Sequence, residues 1–206
     1  MRHEVAAAIR ESGIVGIVRS KSSDEATQSA IHLLESGLRA VEVSLVTPQA
    51  LTAIRHAANT GLGFVGAGTV LYEPSAIAAI EAGATFLVSP ILNPAVVAAA
   101  NRYGVACLPG VATPTEAIRA LEMGADFAKL FPASAYGPGA VKDILTALPH
   151  LPLVPTGGVR PDDALSYIAA GSAAVGLGSA LSSGSVDESS ARIQTLLRQI
   201  ERARIV

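Results

Sequence analysis

The sequence has no tryptophan, a single cysteine, three lysines and only eight aromatic residues among its 206. One cysteine, Cys107, cannot close an intramolecular disulfide, so packing alone has to hold the core. With aromatic side chains this scarce, that core must be built from Ala, Val, Leu and Ile. Charge of either sign is also sparse: the formal net charge is −2, and no block of like charges offers a field for nucleic acid. The mean hydropathy is +0.45, yet the apolar runs are only about five to eight residues long, far below the roughly 20 that a spanning helix needs. No charged and apolar leader pattern opens the sequence given. The expectation is one cytoplasmic domain over residues 1–206, without nucleic-acid or membrane partners, acting on a small molecule.

What the sequence does contain is alternation. Short β-branched runs alternate with Ala/Leu-rich amphipathic stretches, most of them closed by a glycine: Gly13, Gly37, Gly61, Gly83, Gly104, Gly124 and Gly171. Eight strands are expected, at Ile14–Val18, Ala40–Leu45, Gly63–Gly66, Thr85–Val88, Val105–Leu108, Phe127–Phe131, Leu153–Pro155 and Ala173–Leu177. Helix starts are marked by Ser23-Asp24 and by Pro48, Pro74, Pro94, Pro114 and Pro161. Each strand–helix unit takes about 20 to 24 residues. Eight such units predict an α/β fold, a (β/α)8 TIM barrel, with an extra N-terminal helix over Met1–Glu11 that plugs its lower end. A doubly wound open sheet is the structural alternative. It would usually carry a dinucleotide fingerprint, and Gly66-Ala67-Gly68-Thr69 lacks the third glycine and the following acid. After Ser185 one more amphipathic helix is expected.

In a barrel, reactive side chains sit at the C-terminal ends of strands. His3, His32, His56 and His150 all fall in helices or a helix-to-strand loop, so neither a His-based triad nor a metal cluster can be assembled. Cys107, inside an apolar strand, reads as a small core residue. The polar residues left at strand ends are Arg19, Glu42, Ser44, Thr69, Ser89, Lys129, Thr156 and Ser179.

Lys129 is one of three lysines against twelve arginines, and it lies inside Phe127-Ala128-Lys129-Leu130-Phe131. Strand alternation puts it on the face of Phe127 and Phe131. Desolvating an ammonium favours the free amine, the form that attacks a carbonyl. Two readings follow: a Schiff-base nucleophile, or a lysine snorkelling from a strand end to a carboxylate partner. Glu42, in Val41-Glu42-Val43-Ser44-Leu45, is the carboxylate that falls inside a strand. It is either a proton shuttle or the counter-ion of Lys129. Gly157-Gly158 and Gly176-Leu177-Gly178-Ser179 follow the last two expected strands, where barrels recurrently bind phosphate on backbone N–H groups. Each glycine motif alone also fits a plain turn, and phosphate binding does not choose the reaction.

Val41-Glu42-Val43-Ser44-Leu45, Gly66-Ala67-Gly68-Thr69-Val70, Lys129-Leu130-Phe131-Pro132 and Thr156-Gly157-Gly158-Val159 occur in this order, and together they resemble the KDPG/KHG aldolase family of class I aldolases. The resemblance implies a homotrimeric barrel that cleaves a phosphorylated keto-deoxy sugar acid to pyruvate and glyceraldehyde 3-phosphate, with no metal or other cofactor. It implies Lys129 as Schiff-base lysine and Glu42 as general acid/base acting through a water. Thr69 would hold the pyruvyl carboxylate, and Gly157, Gly158, Gly178 and Ser179 the phosphate. Arg19, Pro90, Phe131 and Thr156 would bind or line the substrate.

The family's phosphogluconate branch usually reads Glu-Val-Thr-Leu-Arg where this sequence has Val46 in place of the arginine. Ser44-Leu45-Val46-Thr47-Pro48 and Phe131-Pro132-Ala133-Ser134-Ala135-Tyr136-Gly137-Pro138 look closer to 2-dehydro-3-deoxy-6-phosphogalactonate aldolase, whereas Thr156 is typical of the gluconate branch. The substrate expected is therefore the phosphogalactonate, with 2-dehydro-3-deoxy-6-phosphogluconate or 4-hydroxy-2-oxoglutarate as the alternative. Outside the lyase class stand a phosphate-binding barrel isomerase using Glu42 as base, and a non-catalytic sugar-phosphate binder.

Overall fold

The computed structural model describes residues 1–205; Val206, the end of the expected domain, lies outside the described residues. Eight strands and nine α-helices follow one another among those residues: α1 Arg2–Ser12, β1 Ile14–Val18, α2 Ser23–Glu35, β2 Ala40–Ser44, α3 Ala50–Asn59, β3 Phe64–Gly68, α4 Glu73–Glu81, β4 Phe86–Val88, α5 Pro94–Tyr103, β5 Ala106–Leu108, β6 Gly110–Val111, α6 Pro114–Glu122, β7 Lys129–Leu130, α7 Gly137–Ala147, α8 Ala164–Ala169, β8 Val175–Leu177 and α9 Val186–Ile205. All seven glycines expected to close helices have positive φ. Thr113 and Glu116 form a reciprocal capping box at the start of α6. Pro48 opens no helix; it lies in a turn two residues before α3.

Six strands form one curled parallel sheet in the order β5-β4-β3-β2-β1-β8, and β6 pairs with β7. This departs from eight strands in one ladder. The expected strand at Leu153–Pro155 is represented only by isolated bridges, Ala128 to Leu153 and Thr156 to Gly176. Pro152 precedes it and Pro155 ends it, and proline has no N–H to give a ladder. Pro109 likewise separates β5 from β6, a strand that the sequence pattern did not predict, and β7 is cut back to Lys129–Leu130.

Alternation along the strands sorts side chains into two cores. Val41, Val43, Val65, Ala67, Leu87, Cys107, Ala128 and Leu130 face outward and are covered by Ala, Leu and Ile of the helices. Val15, Ala40, Phe86, Leu108 and Phe127 face inward and are sealed at the N-terminal end of the strands by Val5 and Ile9 of α1. The N-terminal helix thus occupies the lower end, where it was expected. Arg2 Nε holds it there on Asp126 Oδ1 at 2.9 Å, and Asp126 Oδ2 also accepts from the Cys107 N–H at 2.8 Å. Burial, followed by the Asp126 charge, pushes the Cys107 thiol up to about 12. The thiolate needed for nucleophilic chemistry is therefore suppressed. Among the described residues no helix is long and apolar enough to cross a membrane.

Candidate active site

Above the α1 plug the inward positions change character. On β2, Ala40 is followed two residues later by Glu42 and then Ser44; Glu42 pairs in register with Ile17 on one side and Gly66 on the other. Phe127 is followed by Lys129, whose strand partner is Gly110. Glu42 and Lys129 open into one cavity of about 520 Å³ at the C-terminal ends of the strands. Arg19, Glu42, Thr69, Pro90, Lys129, Phe131, Thr156, Gly157, Gly158, Gly178 and Ser179 all line it. The strand-end rule missed Ser20, Ser29 and Ser182, which also line it. Ser29 projects from α2 and Ser182 from the loop after β8, positions with no strand-end signal. Ser44 and Ser89 do not line it. Ser44 instead lies 2.7 Å from Thr69 Oγ1, and Ser89 Oγ accepts from the Ile91 N–H at 3.2 Å.

Glu42 is 2 % exposed and Lys129 6 %. Burial holds the Glu42 carboxyl above the usual carboxylate range, against the opposing pull of the Lys129 and Arg19 charges. Among the described residues Glu42 Oε2 has no hydrogen-bond partner, and no ion pair within 4.0 Å joins Glu42 to Lys129. A plain counter-ion pair would show that contact. The carboxyl instead makes no such contact, and its Oε2 is a buried polar atom without a partner among the described residues. Lys129 Nζ lies 5.3 Å from the centre of the Phe131 ring, within cation–π range. Among the described residues no group of three or more His, Cys, Asp or Glu is placed to hold a metal ion.

Thr69 has φ 59, in the left-handed region that a β-branched residue rarely enters. Strain of this kind costs about 1–3 kcal/mol and collects at functional sites. Ser44 Oγ against Thr69 Oγ1, and the Val70 N–H to the Val88 carbonyl at 3.1 Å, hold the corner in place.

The model of the KDPG and KHG aldolase family matches residues 5–196. The chain belongs to that family. It is 37 % identical over 172 residues to the 2-dehydro-3-deoxy-6-phosphogalactonate aldolase of Escherichia coli K12, covering 82 % of this chain and 83 % of that one. It is 39 % identical over 161 residues to the 2-dehydro-3-deoxy-phosphogluconate aldolase of Treponema pallidum, covering 76 % and 75 %. Its fold superposes with a TM-score of 0.79 on the KDPG aldolase of Legionella pneumophila, solved with pyruvate captured as a covalent carbinolamine; identity is 27 %, with 96 % of this chain and 97 % of that one covered. The relatives are aldolases, carbon–carbon lyases, and so is this family member.

At the far side of the aldolase cavity from β2 and β3, Gly157 and Gly158 have φ +89 and +80. A Cβ on Gly157 would meet the Phe131 ring at 2.8 Å, and one on Gly158 would meet Ser134 Cβ at 2.7 Å. Glycine is required here on both counts. Among the described residues, the N–H groups of Gly157, Gly158 and Ser179 donate to no protein acceptor. They leave a set of free donors suited to an anion. Val46 is 58 % exposed and lies outside the cavity lining, so Arg19 and Lys129 are the cationic side chains at the mouth.

Proposed function

We propose that this aldolase cleaves 2-dehydro-3-deoxy-6-phosphogalactonate to pyruvate and glyceraldehyde 3-phosphate through a Schiff base on Lys129. One observation carries the reading: a buried lysine and a buried, unpaired glutamate share a cavity whose other end offers free backbone N–H donors. Lys129 Nζ would attack the C2 carbonyl of the keto acid, and loss of water from the carbinolamine gives an iminium. That iminium accepts the electron pair released when the C3–C4 bond breaks and the C4 hydroxyl loses its proton, freeing glyceraldehyde 3-phosphate. Protonation of the enamine at C3 and hydrolysis then return pyruvate and the free amine. Glu42, holding its proton to higher pH than an ordinary glutamate, would relay these protons through a water. Thr69 would bind the pyruvyl carboxylate, with Arg19, Pro90, Phe131 and Thr156 around the chain of the sugar acid. Gly157, Gly158, Gly178 and Ser179 would take the phosphate.

The galactonate branch is supported by Val46 where the gluconate branch has arginine, by the 131–138 segment, and by the Escherichia coli relative. The gluconate reading is favoured by Thr156, which lines the cavity while its Oγ1 donates to the Val154 carbonyl at 3.1 Å, and by the Treponema relative. Side-by-side lactate dehydrogenase-coupled assays on both sugar acids decide between them, and a larger kcat/KM on the gluconate substrate overturns the branch assignment. Borohydride added with pyruvate is expected to leave one pyruvyl mass on Lys129, and its absence would refute the Schiff base. The same assay reads Gly68→Ala. A Cβ at Gly68 lies 2.6 Å from Glu42 Oε1, so the substitution is expected to displace the carboxyl and cut kcat by up to about 100-fold, with a smaller loss in thermal stability.

The same reading includes closure of the sheet into a (β/α)8 barrel. The Val154 N–H to the Ala128 carbonyl and the Gly176 N–H to the Pro155 carbonyl, each 2.9 Å, support it. It also includes one catalytic domain in a cytoplasmic setting, as length and composition suggest, and a homotrimer, as the resemblance implies.

A further inference from the structure

The loop between β8 and α9, residues 178–185, walls the cavity through Gly178, Ser179 and Ser182. Its other side is fastened to α9. Arg192 Nη1 donates to the carbonyls of Leu181 and Ser183, each at 2.9 Å. Ser189 Oγ donates to the same Leu181 carbonyl at 3.2 Å and lies 3.0 Å from His32 Nε2 on α2. Leu181 is fully buried beneath these ties. Arg192 itself does not line the cavity; it faces a surface groove on the far side, beside Asp162 and Leu165.

A surface loop left to itself samples many conformations, and ordering it on ligand binding costs affinity. A guanidinium that grips two carbonyls of one loop, those of Leu181 and Ser183, removes that freedom before the ligand arrives. We propose that Arg192, supported by Ser189, is a positioning residue for the anion end of the cavity, presetting Ser179 and Ser182 for the phosphate of the substrate. The phosphorylated substrate is taken from the function proposed above; the geometric coupling of α9 to the loop is independent of the Schiff-base chemistry.

The test compares the intact wild-type enzyme with Arg192→Ala and Arg192→Gln. Inorganic phosphate binding is read by calorimetry, KM and kcat on the phosphorylated sugar acids by the coupled assay, and pyruvate trapping by borohydride. Arg192→Ala is expected to weaken phosphate binding and raise KM by roughly 10-fold, the scale of lost charged hydrogen bonds. Its kcat and pyruvate trapping should stay within about twofold, since positioning of an anion leaves Lys129 untouched. Arg192→Gln keeps an amide donor without the charge and is expected to recover most of the affinity. If Gln behaves as Ala, the effect is through-space charge and the positioning role is overturned; unchanged phosphate affinity in Ala overturns it too. Should Arg192→Ala fail to fold, Ser189→Ala removes the second tie to the Leu181 carbonyl: a few-fold loss of phosphate affinity supports the proposal, and no loss overturns it. A wild type that traps no pyruvate would sink the Schiff-base reading alone, because the phosphate titrations still decide the role of Arg192.

Discussion

Lys129→Met is expected to lower kcat/KM for sugar-acid cleavage by at least about 10⁴-fold, because no other amine lines the cavity to form the iminium that drains electrons from the breaking bond. The same substitution should leave the protein as stable as before or more so. Lys129 is 6 % exposed, so its charged form is held largely out of water at a cost that methionine does not carry. Methionine nearly matches the volume, and its sulfur can replace the ammonium over the Phe131 ring. Coupled pyruvate release and thermal unfolding, measured on one preparation, separate the two effects. Substantial residual turnover would assign Lys129 an electrostatic role only, as a barrel isomerase would use it. Loss of the fold would mean that the lysine has structural work.

Glu42→Gln is expected to cut kcat by about 10²–10⁴-fold, the usual worth of a positioned general acid/base, and to raise the melting temperature at neutral pH. The sign follows from proton linkage. Burial raises the Glu42 carboxyl in the folded state, whereas in the unfolded chain it titrates at about 4.3. Between those two values the folded protein binds more protons than the unfolded one. The contribution of Glu42 to stability is therefore fully present below the unfolded value and is lost as pH rises through the folded one. Glutamine has no proton to lose, so its advantage over wild type should grow from acid toward neutral pH. The acid limb that Glu42 imposes on the kcat profile should vanish with it. A difference in melting temperature between Glu42→Gln and wild type that is the same at neutral pH and at pH 4 would show that the carboxyl is not raised. A variant with Lys129→Met alone should hold Glu42 higher still, since the largest opposing charge is gone.

The proposed chemistry was legible in the sequence because its residues violate local rules. A lysine inside Phe127–Phe131 and a glutamate inside Val41–Leu45 break alternation that is otherwise apolar, and strand alternation then gives their shared inward direction. The paired glycines before Val159 and the Gly-Leu-Gly-Ser segment marked the anion corner for the same reason, since close backbone approach leaves glycine in the chain. Cys107 was legible as inert because nothing polar precedes it on its strand. Less was visible at Ser29 and Ser182. A serine on a helix or in a loop is ordinary by every local measure, and only the curvature of the sheet carries it to the cavity. The strained Thr69 was found from its motif, but its left-handed backbone and its contact with Ser44 have no sequence signature.

By itself the sequence determined the alternation of strands and helices, the glycine-capped helix ends, the N-terminal helix and which two strand-borne ionisable residues are proposed as the reactive pair. Periodicity and local conformational preference are written residue by residue. Only the tertiary structure decided that the ladder breaks around Pro109, Pro152 and Pro155, and that Glu42 stands unpaired rather than bonded to Lys129. It alone showed that Arg192, more than sixty residues beyond Lys129 in the chain, fastens a loop that lines the same cavity. Hydrogen-bond partners, desolvation and the distance between charges depend on what the closing sheet brings together, and no stretch of sequence contains both sides of those contacts.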